Sequence, residues 1–193
     1  MYLKKLSLLI LLTIFFTPGY SETSKIPVVE NEYSLFTGVF DTIDKEGDDK
    51  TSLFGVEHKN KNLFRDTILG KFSPITGGFI SGKSSVYLYT GVQAEYDLGP
   101  LKVIPSFAPG YYDAGGGKDL GSALEFKSEI RFDFNIFENS KFGYSYSHIS
   151  NNDMGKGGKN PGVNNKQISF TKIFNNPGTN SYMFNFLKRF NKI

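Results

Sequence analysis

The sequence predicts an all-β protein, an eight-stranded antiparallel transmembrane β-barrel of the outer membrane, and three observations predict it. Apolar and polar residues alternate with period two, most clearly over 123–136. The composition is rich in aromatic residues (16%, none of them Trp) and in Gly (21, against 8 Pro), as expected of short turns and lipid-facing girdles. The chain begins with an export leader, and no later apolar run is long enough to cross a bilayer as a helix.

Residues 1–21 read as a signal peptide. Lys4 and Lys5 form a basic n-region, Leu6 to Phe16 an apolar run too short to span, and Gly19 and Ser21 supply small residues for cleavage after Ser21. The leader carries two of the 22 basic residues and no acid, leaving 20 basic against 19 acidic residues. So balanced a chain has no basic field for nucleic acid. Cysteine is absent, so an exported fold must be held by burial or by a closed hydrogen-bonded ladder instead of disulfides.

The mature chain divides into a polar leader at 22–32, a barrel at 33–174 and a tail at 175–193. Over 123–136, Leu124, Phe126, Ser128, Ile130, Phe132, Phe134 and Ile136 share one face, and Glu125, Lys127, Glu129, Arg131, Asp133 and Asn135 the other. That length covers the roughly 9–11 residues of a tilted membrane strand. Seven further segments (33–41, 51–58, 64–80, 85–96, 101–109, 141–150 and 165–174) complete eight, the smallest number of this class. A barrel of that size fills its interior with side chains, so the inward charges are expected to pair. Tight joins are expected at Asn60–Leu63, Asp97–Pro100 and Phe137–Ser140, and long ones at 42–50, 110–121 and 151–163. The short join at 81–84 departs from this parity. Short periplasmic turns and longer outer loops then put His148 near the outer surface. In the tail, Asn176-Pro177-Gly178 reads as a turn. Tyr182, Phe184 and Phe186 alternate before Lys188-Arg189, so a further strand, an interfacial segment and an unstructured end all stay open.

Chemistry concentrates in Tyr144-Ser-Tyr146-Ser-His148-Ile-Ser150-Asn151. His148 and Ser150, two apart in a strand, point the same way as Phe142, Tyr144 and Tyr146, onto the lipid side. An imidazole beside a hydroxyl can serve as its general base, and a polar pair on such a wall is costly without a role. Hydrogen bonding of both side chains to loop backbone is the competing reading. Gly77-Gly-Phe-Ile-Ser-Gly82-Lys83-Ser84 spells a phosphate-binding loop, but that loop must open a helix, and Ser85-Val-Tyr-Leu-Tyr-Thr90 alternates as a strand. Of the two histidines, His58 lies on another strand, so no metal site is expected. No cofactor is expected either.

His148-Ile-Ser150-Asn151, the Gly-rich loop after it and Asn160-Pro161-Gly162-Val-Asn164 resemble the signature of the lipid A 3-O-deacylases (PagL-type), across about 141–174. The resemblance implies an eight-stranded outer-membrane barrel of a Gram-negative bacterium that hydrolyses the 3-O-linked acyl chain of lipid A. It makes His148 the base, Ser150 the nucleophile, and the Asn151 side chain with a loop N–H at Asp153 the oxyanion hole. Two departures stand out. The family's acidic residue falls at Asn164, which can accept the imidazole N–H but brings no charge, and Asp153 stands where the family has Gly. Asp153 is also the candidate for a substitute carboxylate. Tyr144, Tyr146, Lys156 and Lys159 are candidate substrate contacts, with Lys166 nearby. Lipopolysaccharide and the membrane are the expected partners; a homodimer stays open. The rival readings are a barrel of the same shape, weak or inactive in catalysis, with a structural or lipid-binding role, and a soluble exported β-sandwich or lipocalin-like binder.

Overall fold

The computed structural model describes residues 28–43, 49–60, 65–67 and 70–177. The segment expected to be a signal peptide, 1–21, and most of the expected tail lie outside them. The strands are β1 (Val28–Phe40), β2 (Thr51–Asn60), β3 (Arg65–Thr67), β4 (Gly70–Ser81), β5 (Val86–Ala94), β6 (Tyr96–Leu98), β7 (Leu101–Asp113), β8 (Leu124–Phe137), β9 (Ser140–Ser150) and β10 (Val163–Pro177). Two of these are continuations. β2 and β3 pair with successive parts of β4, and β5 and β6 with successive parts of β7. All pairings are antiparallel, and β1 pairs with β10 from Val28↔Pro177 to Val39↔Lys166, which closes a barrel of eight staves.

The alternation read in 123–136 is the alternation of β8. Glu125, Lys127, Glu129, Arg131 and Asp133 are buried, while Leu124, Ile130, Phe134 and Ile136 are exposed. The same inversion runs round the barrel. Leu35, Phe54, Val56, Leu88, Tyr111, Phe142, Ile168 and Phe170 face out, each at least 41% exposed. A soluble sandwich would bury these residues and expose the charges, so the inside-out pattern excludes that reading.

The lumen has two zones. Toward the short turns it holds ion pairs. Glu32 meets Lys59 and Lys141 at 2.9 Å each, and Glu95, where the chain passes from β5 to β6, reaches Lys59 at 2.7 Å and Lys102 at 2.9 Å. Next to this group, Arg131 binds Glu57 (2.9 Å) and Asp133 (3.3 Å) and donates to Gln93 Oε1. Tyr89 donates to the other Glu57 oxygen at 2.8 Å, and Lys127 lies 3.9 Å over the Tyr89 ring. Toward the long loops Phe36, Phe40, Leu53, Phe79, Tyr87, Tyr112, Ile149 and Val163 pack together, closed off by Leu120 from the loop after β7. The expected interior pairing of charges is thus present, and it reaches across the lumen as well as between neighbours, since Glu57 on β2 and Arg131 on β8 are not adjacent staves.

Several boundaries differ from those read in the sequence. β1 starts at Val28, inside the expected polar leader, because its Glu32 is a lumen residue paired with Lys59 and Lys141. The first tight turn is not at Asn60–Leu63, of which 61–63 lie outside the described residues. It falls between Thr67 and Gly70, where Arg65–Thr67 doubles back on Gly70–Phe72, Gly70 takes φ 109° and Thr67 Oγ1 donates to its carbonyl. The other two tight turns are where expected, with Gly99 (φ 66°) and Asn139 (φ 57°) in the left-handed region. β7 runs on to Asp113, paired with Val86, and β10 extends from Val163 to Pro177, beyond the barrel boundary expected at 174. The phosphate-loop spelling ends β4 and turns directly into β5, with no helix after it.

Removing one partner from a buried ion-pair group strands the others. Arg131→Ala is expected to lower stability by about 3–5 kcal/mol, read as a shift in the urea midpoint of the barrel refolded in detergent.

Candidate active site at the barrel rim

On β9 the buried Ser147 and Ile149 face the lumen, so His148 and Ser150 face outward, His148 exposed and Ser150 half-buried. They lie at the end with the long loops. His148 sits opposite Asn164 on β10 and Ser128 on β8, making a polar row across three staves. Below it the wall turns apolar through Ile130, Tyr144, Phe142 and Ile168.

The expected contact between His148 and Asn164 is made, with His148 Nδ1 3.0 Å from Asn164 Oδ1. A carbonyl oxygen only accepts, so Nδ1 carries the proton and the Nε2 lone pair is left for a neighbouring hydroxyl. The same oxygen accepts from the Tyr146 hydroxyl at 2.8 Å. Tyr146 is therefore part of the His–Asn unit as well as of the wall. Among the described residues no hydrogen bond joins Ser150 Oγ to His148. The two share a face without a hydrogen bond between them. Gly162 packs over the ring: its φ is +61°, and a Cβ there would lie 2.8 Å from His148 Cε1.

Asn151 is placed differently from its expected role. One residue past Ser150, it turns into the lumen and is fully buried. Its Nδ2 donates to Leu120 O (2.6 Å), Lys159 O (3.1 Å) and Glu125 Oε1 (3.2 Å), and its backbone N donates to Asn160 Oδ1. Its amide is thus engaged by acceptors on the inner side, not turned toward Ser150. It ties the loop after β7 to the loop after β9. Alternation could have signalled this, since neighbouring strand residues point opposite ways.

The remaining candidates divide. Asp153 (φ 64°) accepts from Asn160 Nδ2 at 3.2 Å, so its carboxylate serves a loop clasp and does not reach His148. Its backbone N–H remains in the turn that follows Ser150. Tyr144 is on the exposed wall. The Lys159 ammonium binds Asp119 at 2.9 Å, and that hydrogen bond holds the Asp119 carboxyl below its ordinary range. The side chain of Lys156 lies outside the described residues. Lys166 is exposed, opposite Tyr146. Leu120, which the sequence reading did not single out, builds the rim around the row together with Asn160 and Gly162 of the signature stretch. His58 lies on β2, its Nε2 2.8 Å from Asn31 Oδ1. Among the described residues no group of three or more His, Cys, Asp or Glu is placed to share a metal ion.

The family model for lipid A 3-O-deacylase (PagL) matches residues 52–172. A crystal structure of the outer membrane enzyme PagL is 14% identical, with a TM-score of 0.55 over 73% of this chain and 98% of that one. A de novo designed transmembrane β-barrel reaches 0.51 at 10% identity over 79% of this chain and 100% of that one. At such identities these likenesses speak for the fold alone. No curated protein sequence matches the chain.

If Asn151 acts as a loop tie, Asn151→Ala leaves three acceptors without their donor. It is then expected to cost about 2–3 kcal/mol and to expose 114–123 and 151–162 to limited proteolysis. Unchanged protection of those loops would return the side chain to an oxyanion role.

Proposed function

Since the chain belongs to the lipid A 3-O-deacylase family, whose model covers residues 52–172, we propose that it is an outer-membrane ester hydrolase that removes the 3-O-linked acyl chain of lipid A. Ser150 is the nucleophile, His148 the general base and Asn164 the third member. The observation that carries this reading is the 3.0 Å bond from His148 Nδ1 to Asn164 Oδ1 on the outward wall, with Ser150 on the same face two residues on.

The chemistry follows from that placement. His148 Nε2 takes the Ser150 proton as Oγ bonds the ester carbonyl carbon. The tetrahedral oxyanion is met by a loop N–H, for which the backbone of Asp153 is the candidate. Collapse breaks the bond to the sugar oxygen, which leaves with the proton from His148. Water, deprotonated by His148, then attacks the acyl-serine and frees the fatty acid. The gap between Ser150 and His148 is compatible with this scheme, because such bonds commonly tighten only when substrate closes the site. Lys166, exposed on the same seam, offers a cation to a lipid A phosphate.

A second reading, a barrel of this family without turnover, is favoured by two facts: residue 164 is Asn, and the Asn151 amide is turned inward. Incubation with lipopolysaccharide and mass spectrometry of the lipid A separates the two. Loss of one 3-O-acyl mass, abolished by Ser150→Ala, is expected of the hydrolase; no loss at high protein concentration favours the inert barrel. Asn in place of the carboxylate in a Ser–His–Asp triad costs roughly 10⁴ in rate. Asn164→Glu is therefore expected to speed the reaction by at least about tenfold; an unchanged rate would separate residue 164 from catalysis.

A further inference from the structure

An asparagine in a carboxylate's place raises a problem of orientation. A carboxylate presents oxygen to its neighbour whichever way it is turned, whereas an amide presents oxygen one way and NH₂ the other, at nearly the same position. With oxygen toward His148, Nδ1 is protonated and Nε2 is free to act as base. With nitrogen toward His148, Nδ1 must accept, the proton moves to Nε2, and the imidazole is in the tautomer that cannot deprotonate Ser150.

The surroundings of Asn164 bear on that choice. Its main chain is pinned to the end of β1, since its carbonyl accepts from Thr42 N at 2.7 Å and Thr42 Oγ1 at 3.2 Å. The free variable is the turn of the amide. Tyr146 stands two residues before His148, on the same face of β9, and its hydroxyl lies 2.8 Å from the amide oxygen that His148 also meets at 3.0 Å. As placed, the two lone pairs of Oδ1 take one proton each from Tyr146 and His148. Turned over, Nδ2 could donate to both, but the Tyr146 proton would then face a lipid wall with Ile130 beside it. An unpaired donor there is disfavoured.

We propose that Tyr146 is a positioning residue: its hydroxyl holds the Asn164 amide oxygen toward His148 and so sets the imidazole tautomer that a Ser150 nucleophile needs. The proposal rests on the Ser–His reading above, and it assigns to Tyr146 the part that a carboxylate at 164 would make unnecessary.

The full barrel in detergent micelles, labelled with ¹⁵N-histidine, tests it. The chain has two histidines, so His58→Gln assigns the resonances. The native protein is expected to show His148 as the Nδ1–H tautomer at a pH where the ring is neutral. Tyr146→Phe is expected to shift it to a mixture with Nε2–H. On lipid A the same substitution is expected to lower kcat about five- to tenfold, with KM nearly unchanged. In an Asn164→Glu background it should alter the rate by less than about twofold. An Nε2–H tautomer in the native protein, an unchanged tautomer in Tyr146→Phe, or an equal loss in both backgrounds would overturn the assignment. The tautomer measurement needs no turnover, so failure of the esterase reading would leave it decisive.

Discussion

Inside a bilayer an unpaired backbone N–H or C=O has no water to turn to, and a sheet that crosses it must close on itself. The seam between β1 and β10, from Val28↔Pro177 to Val39↔Lys166, is where this chain meets that requirement. Much else in the molecule follows from closure. Once the sheet is a cylinder of eight staves, every residue is either on the wall or in the lumen, and period two decides which. The wall must be apolar. The lumen is narrow enough to be filled, and its polar side chains must satisfy one another.

The charges inside show how that last condition is met. No single pair would hold a buried carboxylate without loss. Here single acids touch several cations: Glu57 faces Arg131 and Lys127, both on β8, while Glu95 faces Lys59, Lys102 and Lys141 from three different staves. The network therefore joins strands far apart in sequence, and the aromatic cluster toward the loops does the same with apolar contacts. Between them the cylinder becomes a firm mount for its outer face.

That mount explains where chemistry can sit. An imidazole and a hydroxyl on the lipid side are tolerable near the rim, where headgroups and water begin, and His148, Ser150, Ser128 and Asn164 occupy that level. The loops above are held by inward groups: Asn151 bridges Leu120, Glu125 and Lys159, and Lys118 reaches Asp41 at 2.6 Å across the mouth. Inner residues thus shape the rim, and outer residues carry the polar row. The same kind of cylinder is shared with a designed barrel, and a fold does not by itself specify a site.

The alternation in β8, the outward sharing of His148 and Ser150, and the pairing of residue 164 with His148 were legible in the sequence. They depend on period two and on a local motif, which the order of residues determines directly. The turn at Thr67–Gly70 was not legible, because Lys59-Asn-Lys-Asn62 is the more turn-like stretch and only the pairing of Arg65–Thr67 with Gly70–Phe72 marks the reversal. Nor was the fate of Asn151: a motif names its neighbours along the chain, whereas its acceptors arrive from Leu120 and Glu125, some thirty residues earlier. Tyr146 could be placed on the wall from sequence, but its bond to Asn164 needs β9 and β10 side by side. The sequence by itself determined which face each strand residue takes. Only the closed sheet decided which residues from distant staves meet across that face, because register and closure are set by all eight staves at once.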